Sequence, residues 1–288
     1  MPGIPNTEPT VETTPVPSDP NAITVKETFA EVTLGDESKT INVEASSNKV
    51  VAGHGDNKVN VTGRGTDITL GDGNNIIVGN FRKLTVGHGD NYIETSSSMP
   101  KVNAGDGNNH IVASDSMPKV KVGNGNNHIE VSGSMPTVEV GDGNNHIVAS
   151  GGMSKVKVGN GNNHIVASGR MSTVEVGYGI NNLEFIGEMG RLVLGKDISP
   201  EHLRFQHEGQ DLQISVIGSK QEVTLQNWYA SSPERPIITV GDDHRLMDRD
   251  VEHLIQSMAA FAPPAPATAM LGDVEQQRLQ PVLAANWH

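Results

Sequence analysis

Between about Glu31 and Leu194, apolar and polar residues alternate in short bursts, and the bursts recur at a fixed interval. Each burst ends at a glycine: Gly35, Gly53, Gly71, Gly87, Gly105, Gly123, Gly141, Gly159, Gly177 and Gly195. Every step is 18 residues except Gly71 to Gly87, which is 16. A representative turn, TVEVGDGNNHIVASGGMS, runs from Thr137 to Ser154. A constant period of this length marks a solenoid, in which no single repeat can bury its own apolar side and each must stack on its neighbours.

The apolar columns show which side chains point inward. Three residues before the anchor glycine lie Val50, Ile68, Leu84, Val102, Val120, Val138, Val156, Val174 and Leu192. One residue before it lie Ala52, Leu70, Val86, Ala104, Val122, Val140, Val158, Val176 and Leu194. Six residues after it come Val59, Ile77, Ile93, Ile111, Ile129, Ile147, Ile165 and Leu183. A spacing of two within a segment is the strand period, so each turn carries two short strands with one face inward. Helices are excluded by the recurrent glycines and the Val/Ile content. The predicted fold is all-β: a parallel β-roll or β-solenoid of 18-residue turns over 27–195.

The outward columns predict vertical stacking. Two residues before the anchor the series reads Asn103, Lys121, Glu139, Lys157, Glu175, and one residue after it Asp106, Asn124, Asp142, Asn160. With turns about 4.8 Å apart, like charges would repel and opposite charges attract. Alternation in both columns is what in-register stacking selects.

Outside the repeat the pattern changes. Residues 1–26 are rich in Pro, Thr and Glu, with no apolar period, and read as a disordered leader. Residues 196–245 read as a different, β-rich C-terminal cap. In 246–288, Asp248 can cap a short helix with Val251, Leu254, Ile255 and Met258 on one face. The Pro- and Ala-rich end beyond it reads as a mobile tail.

Composition narrows the functions. Aromatics make up only 3% of the chain while glycine contributes 32 residues, which suits a narrow aliphatic stack better than a globular core. No stretch is apolar and long enough for a transmembrane helix. The first residues have neither a basic start nor an apolar run, so no cleavable N-terminal signal is expected. Cysteine is absent, which removes disulfides and thiolate metal sites. A net charge of −13 disfavours nucleic acid as a partner.

The chemistry concentrates at the glycine corner. In Gly141-Asp142-Gly143-Asn144-Asn145-His146-Ile147 the glycines permit a tight bend. Four residues after each anchor stands an asparagine: Asn57, Asn75, Asn91, Asn109, Asn127, Asn145, Asn163 and Asn181. Carboxylates lie beside it at Asp56 and Asp90, or at Asp72, Asp106 and Asp142. The corner resembles the nonapeptide G-G-x-G-x-D-x-U-x of repeat-in-toxin proteins, which builds a calcium-binding β-roll. Here the first glycine is Val or Ala in most turns, and Asn stands where the family has its ligating Asp. Asn keeps one oxygen but loses the charge, which lowers the affinity expected for Ca2+. Two readings of the Asn column stay open: calcium ligands with the neighbouring carboxylates, or an ion-free amide ladder. Both can hold in different turns. The second half of the turn, as in ASGSMP, lacks a glycine corner in this reading, so calcium would line one edge only.

The C-terminal region carries a second resemblance. Gly209-Gln210-Asp211-Leu212 and Val223-Thr224-Leu225-Gln226-Asn227-Trp228-Tyr229 resemble the haemolysin-type calcium-binding-related region that follows such repeats. Met258 to Pro264 and Leu283 to Trp287 resemble the ends of bacterial exoproteins of this class. What these resemblances imply is a secreted protein exported by a type I secretion apparatus and folding where calcium is plentiful.

A further column, His110, His128, His146 and His164, follows Lys58, Ile76 and Tyr92 on an outer face. It reads either as a transition-metal or haem-binding face or as an exposed polar column copied by repeat duplication. No catalytic constellation is visible, because the repeats set His, Asp and Ser in rows rather than around a pocket. The expected function is therefore a non-enzymatic, calcium-binding secreted solenoid. The alternatives are a calcium-independent structural or adhesive solenoid, touching a cell surface or a second copy, and a metal- or haem-binding His face.

Overall fold

In the computed structural model, which describes residues 22–230, 235–241, 244–259 and 287, the chain is a parallel β-solenoid of about ten turns of about 18 residues. Each turn lays down two strands. One stack includes Lys101–Ala104, Lys119–Val122, Thr137–Val140 and Lys155–Val158. The other includes His110–Ala113, His128–Ser132, His146–Ser150 and His164–Ser168. Register is kept along both: Val120 pairs with Val102 and Val138, and Ile147 with Ile129 and Ile165.

The three inner columns fill the core. Ile111, Ile129, Ile147, Val138 and Val156 have no exposed surface at all. A fourth column read only from the structure, Ala113, Val131, Ala149 and Ala167, is 0–3% exposed. Each large aliphatic side chain buried this way contributes about 1.5–3 kcal/mol. Because its neighbours in the column come from adjacent turns, the stabilisation belongs to the stack and not to the turn.

The 16-residue step is absorbed at the second corner. Strands Lys58–Leu70 and Ile76–Val86 run unbroken round it, with a register shift between Val61 and Asp67. Phe81 pairs with Thr66 there and is fully buried, so one large ring fills the space of the missing residues.

Two boundaries differ from the sequence reading. Ala22–Val25, assigned to the disordered leader, is a strand paired in register with Thr40–Val43, so the solenoid starts before residue 27. The rest of the leader lies outside the described residues. The stack also continues past Gly195: Glu222–Leu225 lies parallel on Ile180–Ile186, and Ile237–Val240 on Arg191–Val193. The segment 196–245 thus contains a further turn of the solenoid. Its period is hidden by an inserted antiparallel hairpin, Leu203–Glu208 with Asp211–Val216.

The two segments that resemble the haemolysin-type region meet at this hairpin. The Asn227 N–H donates to Asp211 Oδ1 at 2.8 Å, and the Tyr229 N–H to the Gln210 carbonyl at 2.9 Å. Arg235 lies over the rings of Trp228 and Tyr229. Helix Asp248–Ala259 packs on strand Leu203–Glu208, burying Val251 and Leu254 with Ile255 and Met258 beside them. Asp248 opens the first turn, where its Oδ1 accepts the Arg249 N–H at 2.8 Å, and the Met247 carbonyl accepts the Asp250 and Val251 N–H groups. The tail assigned beyond the helix lies outside the described residues, apart from Trp287, whose ring lies 6.5 Å from Phe205.

Candidate functional site

A tight corner cannot continue a strand ladder, so its backbone donors need other partners. The glycine corner supplies them with three columns of side chains. One residue after the anchor, the series runs Asp36, His54, Asp72, His88, Asp106, Asn124, Asp142, Asn160. Each accepts the backbone N–H of its successor one turn on, as in His88 to Asp72 Oδ1 (2.7 Å), Asn124 to Asp106 Oδ1 (2.7 Å) and Asp142 to Asn124 Oδ1 (2.8 Å). Three residues after the anchor, Ser38, Asp56, Asn74, Asp90, Asn108, Asn126, Asn144 and Asn162 do the same, for example Asn108 N–H to Asp90 Oδ1 at 2.6 Å. His54 and His88 accept through Nδ1, at 3.2 and 3.1 Å, which places their proton on Nε2.

The asparagine column points the other way, into the body. Asn57, Asn75, Asn91, Asn109, Asn127, Asn145, Asn163 and Asn181 are each 0–2% exposed. In Asn145, Oδ1 accepts the Asn127 backbone N–H at 3.1 Å and the Asn127 Nδ2 at 2.9 Å. Its own Nδ2 donates to the Gly143 carbonyl at 2.9 Å and to Asn163 Oδ1 at 2.9 Å. The same pattern links Asn75 to Asn91, Asn91 to Asn109, and Asn109 to Asn127. The column is an amide ladder, and from Asn75 to Asn163 each Oδ1 already holds two donors.

The glycines make this geometry possible. Gly143 has φ +135°, and a Cβ there would overlap the Gly125 carbonyl. Only glycine meets both demands. The corner carbonyls are used as well: Gly107 N–H donates to the Asn124 carbonyl at 2.8 Å, and His110 N–H to the Asn91 carbonyl at 2.8 Å.

The carboxylates Asp56, Asp72, Asp90, Asp106 and Asp142 lie on the exposed rim, each with one oxygen on a backbone N–H one turn on. Their second oxygens have long contacts at most, such as His54 Nδ1 to Asp72 Oδ2 at 3.5 Å and His88 Nδ1 to Asp106 Oδ2 at 3.7 Å. The structure thus separates the predicted ligands: the Asn oxygens face inward and the Asp oxygens outward. Among the described residues, no three His, Asp or Glu side chains gather as a metal-holding group.

The histidine column is a stack of rings. Tyr92, His110, His128, His146 and His164 follow at centroid distances of 5.1, 4.8, 4.9 and 5.0 Å, within 12° of parallel. Facing one another, the rings show their edges to solvent. Partial burial, then the neighbouring His128 and His164, hold the His146 pKa below its ordinary value, while Glu130 opposes the shift. Glu130 Oε1 lies 3.0 Å from His128 Nε2. A hydrogen bond to Glu94 raises the Tyr92 hydroxyl at the head of the stack.

The second corner was read as having no glycine bend, and the structure corrects this. Gly133, Gly151, Gly169 and Gly187 have φ of +120° to +141°. Two residues after each glycine comes a methionine, and Met99, Met117, Met153, Met171 and Met189 lie at φ +55° to +60°. The 18-residue spacing of Met99, Met117, Met135, Met153, Met171 and Met189 was a signal available in the sequence. No protein-family model matches the chain.

Proposed function

We propose that the protein is a non-enzymatic scaffold: a self-supporting β-solenoid whose corners are closed by its own side chains and whose long outer faces serve as contact surfaces. The observation that carries this reading is the buried Asn ladder, in which the oxygens that would ligate an ion are occupied by amide donors of the preceding turn. Breaking those bonds to admit an ion would leave buried N–H groups unpaired, at about 1–3 kcal/mol each. Folding on this reading needs no cation. Circular dichroism and melting temperature in EGTA should match those in millimolar calcium. A loss of strand signal on chelation that calcium restores would overturn the reading.

One observation favours a second role for calcium, outside the ladder. The rim carboxylates Asp106 and Asp142 each engage the backbone through one oxygen and hold the other in a long contact only, to His88 Nδ1 at 3.7 Å and Asn160 Nδ2 at 3.5 Å, on exposed side chains about two rungs apart. Calcium bound there would be weak, because each such turn contributes one carboxylate. Calorimetric titration of the intact chain and of the variant D106N/D142N separates the cases: heat lost in the variant places calcium on the rim, and no heat in either removes it. Secretion through a type I apparatus is supported by the C-terminal resemblance alone. Export of the whole chain, but not of one truncated after residue 195, from a host carrying such an apparatus is its test.

A further inference from the structure

The second corner carries a feature that neither the core nor the ladders require. Met99, Met117, Met135, Met153, Met171 and Met189 stand one above another, and five of the six are 41–56% exposed. Five of the six hold the left-handed backbone conformation, which costs a residue with a side chain about 1–2 kcal/mol. Packing does not demand methionine there, since Phe29 and Ser47 take the same conformation in the first turns, at φ +61° and +60°.

The backbone ties three of these positions to the next turn. The Met99 N–H donates to the Ser116 carbonyl at 2.9 Å, Met153 to Arg170 at 2.6 Å and Met171 to Glu188 at 2.8 Å. At the Met153–Met171 step both residues have nearly the same φ, +59° and +60°, and the same turn-to-turn hydrogen bond, which sets them one rung apart in like orientation. On the histidine face the rung measures 4.8–5.1 Å.

We propose that this column is a soft-metal site, in which thioethers of adjacent turns take a monovalent d10 cation, Cu(I) or Ag(I), between them. Turns about 4.8 Å apart bring the flexible side chains of two successive methionines within reach of one ion held between their sulfurs. Thioether sulfur selects such ions over calcium or magnesium, which need oxygen. The column is open to solvent: Met171 and Met189 line one shared depression of about 490 Å³ with Thr173, Gly190 and Arg191. Arg191 and Arg235 also line it with one carboxylate, Asp248, and the excess positive charge disfavours a cation there. Beside the Met153–Met171 step, Arg170 is neutralised by Glu188 at 3.0 Å, which makes this step the better site.

The test titrates Ag(I) into the full chain in chloride-free buffer, read by the 13C-labelled methionine methyl resonances and by calorimetry. The column methyls should shift while those of Met247 and Met258 stay. The variant M135L/M153L/M171L keeps the side-chain size, so its strand signal should hold while Ag(I) binding is lost or sharply weakened. Met153→Leu alone, with a partial loss, serves if the triple variant does not fold. The variant H128N/H146N should bind Ag(I) as the parent does. Unshifted methionine methyls overturn the proposal, as does binding that survives the leucine variant and disappears with the histidine one.

Discussion

Asn127 shows how much rests on one amide. Its Oδ1 accepts two bonds from Asn109, and its Nδ2 donates to the Gly125 carbonyl and Asn145 Oδ1. Asn127→Ala would orphan several buried groups at about 1–3 kcal/mol each, so its urea midpoint should fall well below that of the parent. Asn127→Asp is the sharper substitution, because it restores the residue of the repeat-in-toxin pattern. The carboxylate has no amide to donate, and burial would raise its pKa in the folded state. With the folded value above the unfolded one, near 3.9, the penalty is absent in strong acid and grows as pH rises through that range. On the ladder reading, calcium does not rescue this variant at pH 7; a calcium-dependent recovery of its melting temperature would count against that reading. The sequence could not decide the point. A side chain four residues past the anchor sits on the bend between outward and inward positions, and spacing alone does not say which way it turns.

At the scale of the element, strands were legible because their inner positions repeat every second residue, and the core columns appear where that period puts them. The corners were only half legible. A glycine bend such as Gly141–Asn145 announces itself, whereas a bend through Met153 does not, since side-chain-bearing residues seldom enter the left-handed region. Gly143→Ala should cost at least about 2 kcal/mol in thermal or urea melts, from the positive φ and the meeting with the Gly125 carbonyl. The histidine stack is an element in its own right and should respond to acid. His146 has a folded pKa below its ordinary value of 6.5, so the unfolded chain binds the proton more tightly. Stability from this group is therefore complete above about pH 6.5 and is lost as pH falls toward the folded value. Melting temperature should drop between pH 7 and 5, and His146→Asn should flatten the drop; an unchanged slope would show that the stack is not responsible.

For the whole molecule, the alternating columns make two turns, not one, the repeating unit. Lys121–Glu139 and Lys157–Glu175 pair at 3.7 and 2.6 Å, and Asp106 and Asp142 are kept apart by Asn124. Deleting residues 123–158 would set Lys121 beside Glu175 and Asp106 beside Asn160, preserving both alternations. Deleting only 123–140 would stack Lys121 on Lys157 and Asp106 on Asp142. Both deletions should fold, because each removes whole turns, but the shorter one should be stabilised by added salt and the longer one much less so. Urea melts at low and high ionic strength read the difference. Beyond Gly195 the spacing failed as a guide because the hairpin Leu203–Val216 interrupts a turn that is otherwise regular.

The direction of the Asn bonds has a last effect at this scale. From Asn57 to Asn163 each amide of the column hands a hydrogen to the asparagine of the next turn, Asn181 receiving the last, and none hands one back. Amide dipoles of about 3.5 D laid head to tail add and polarise one another. This buried column therefore carries a field of its own, negative toward the first turn and positive toward the last, while the two rim ladders, whose N–H groups point back toward the first turn, oppose it.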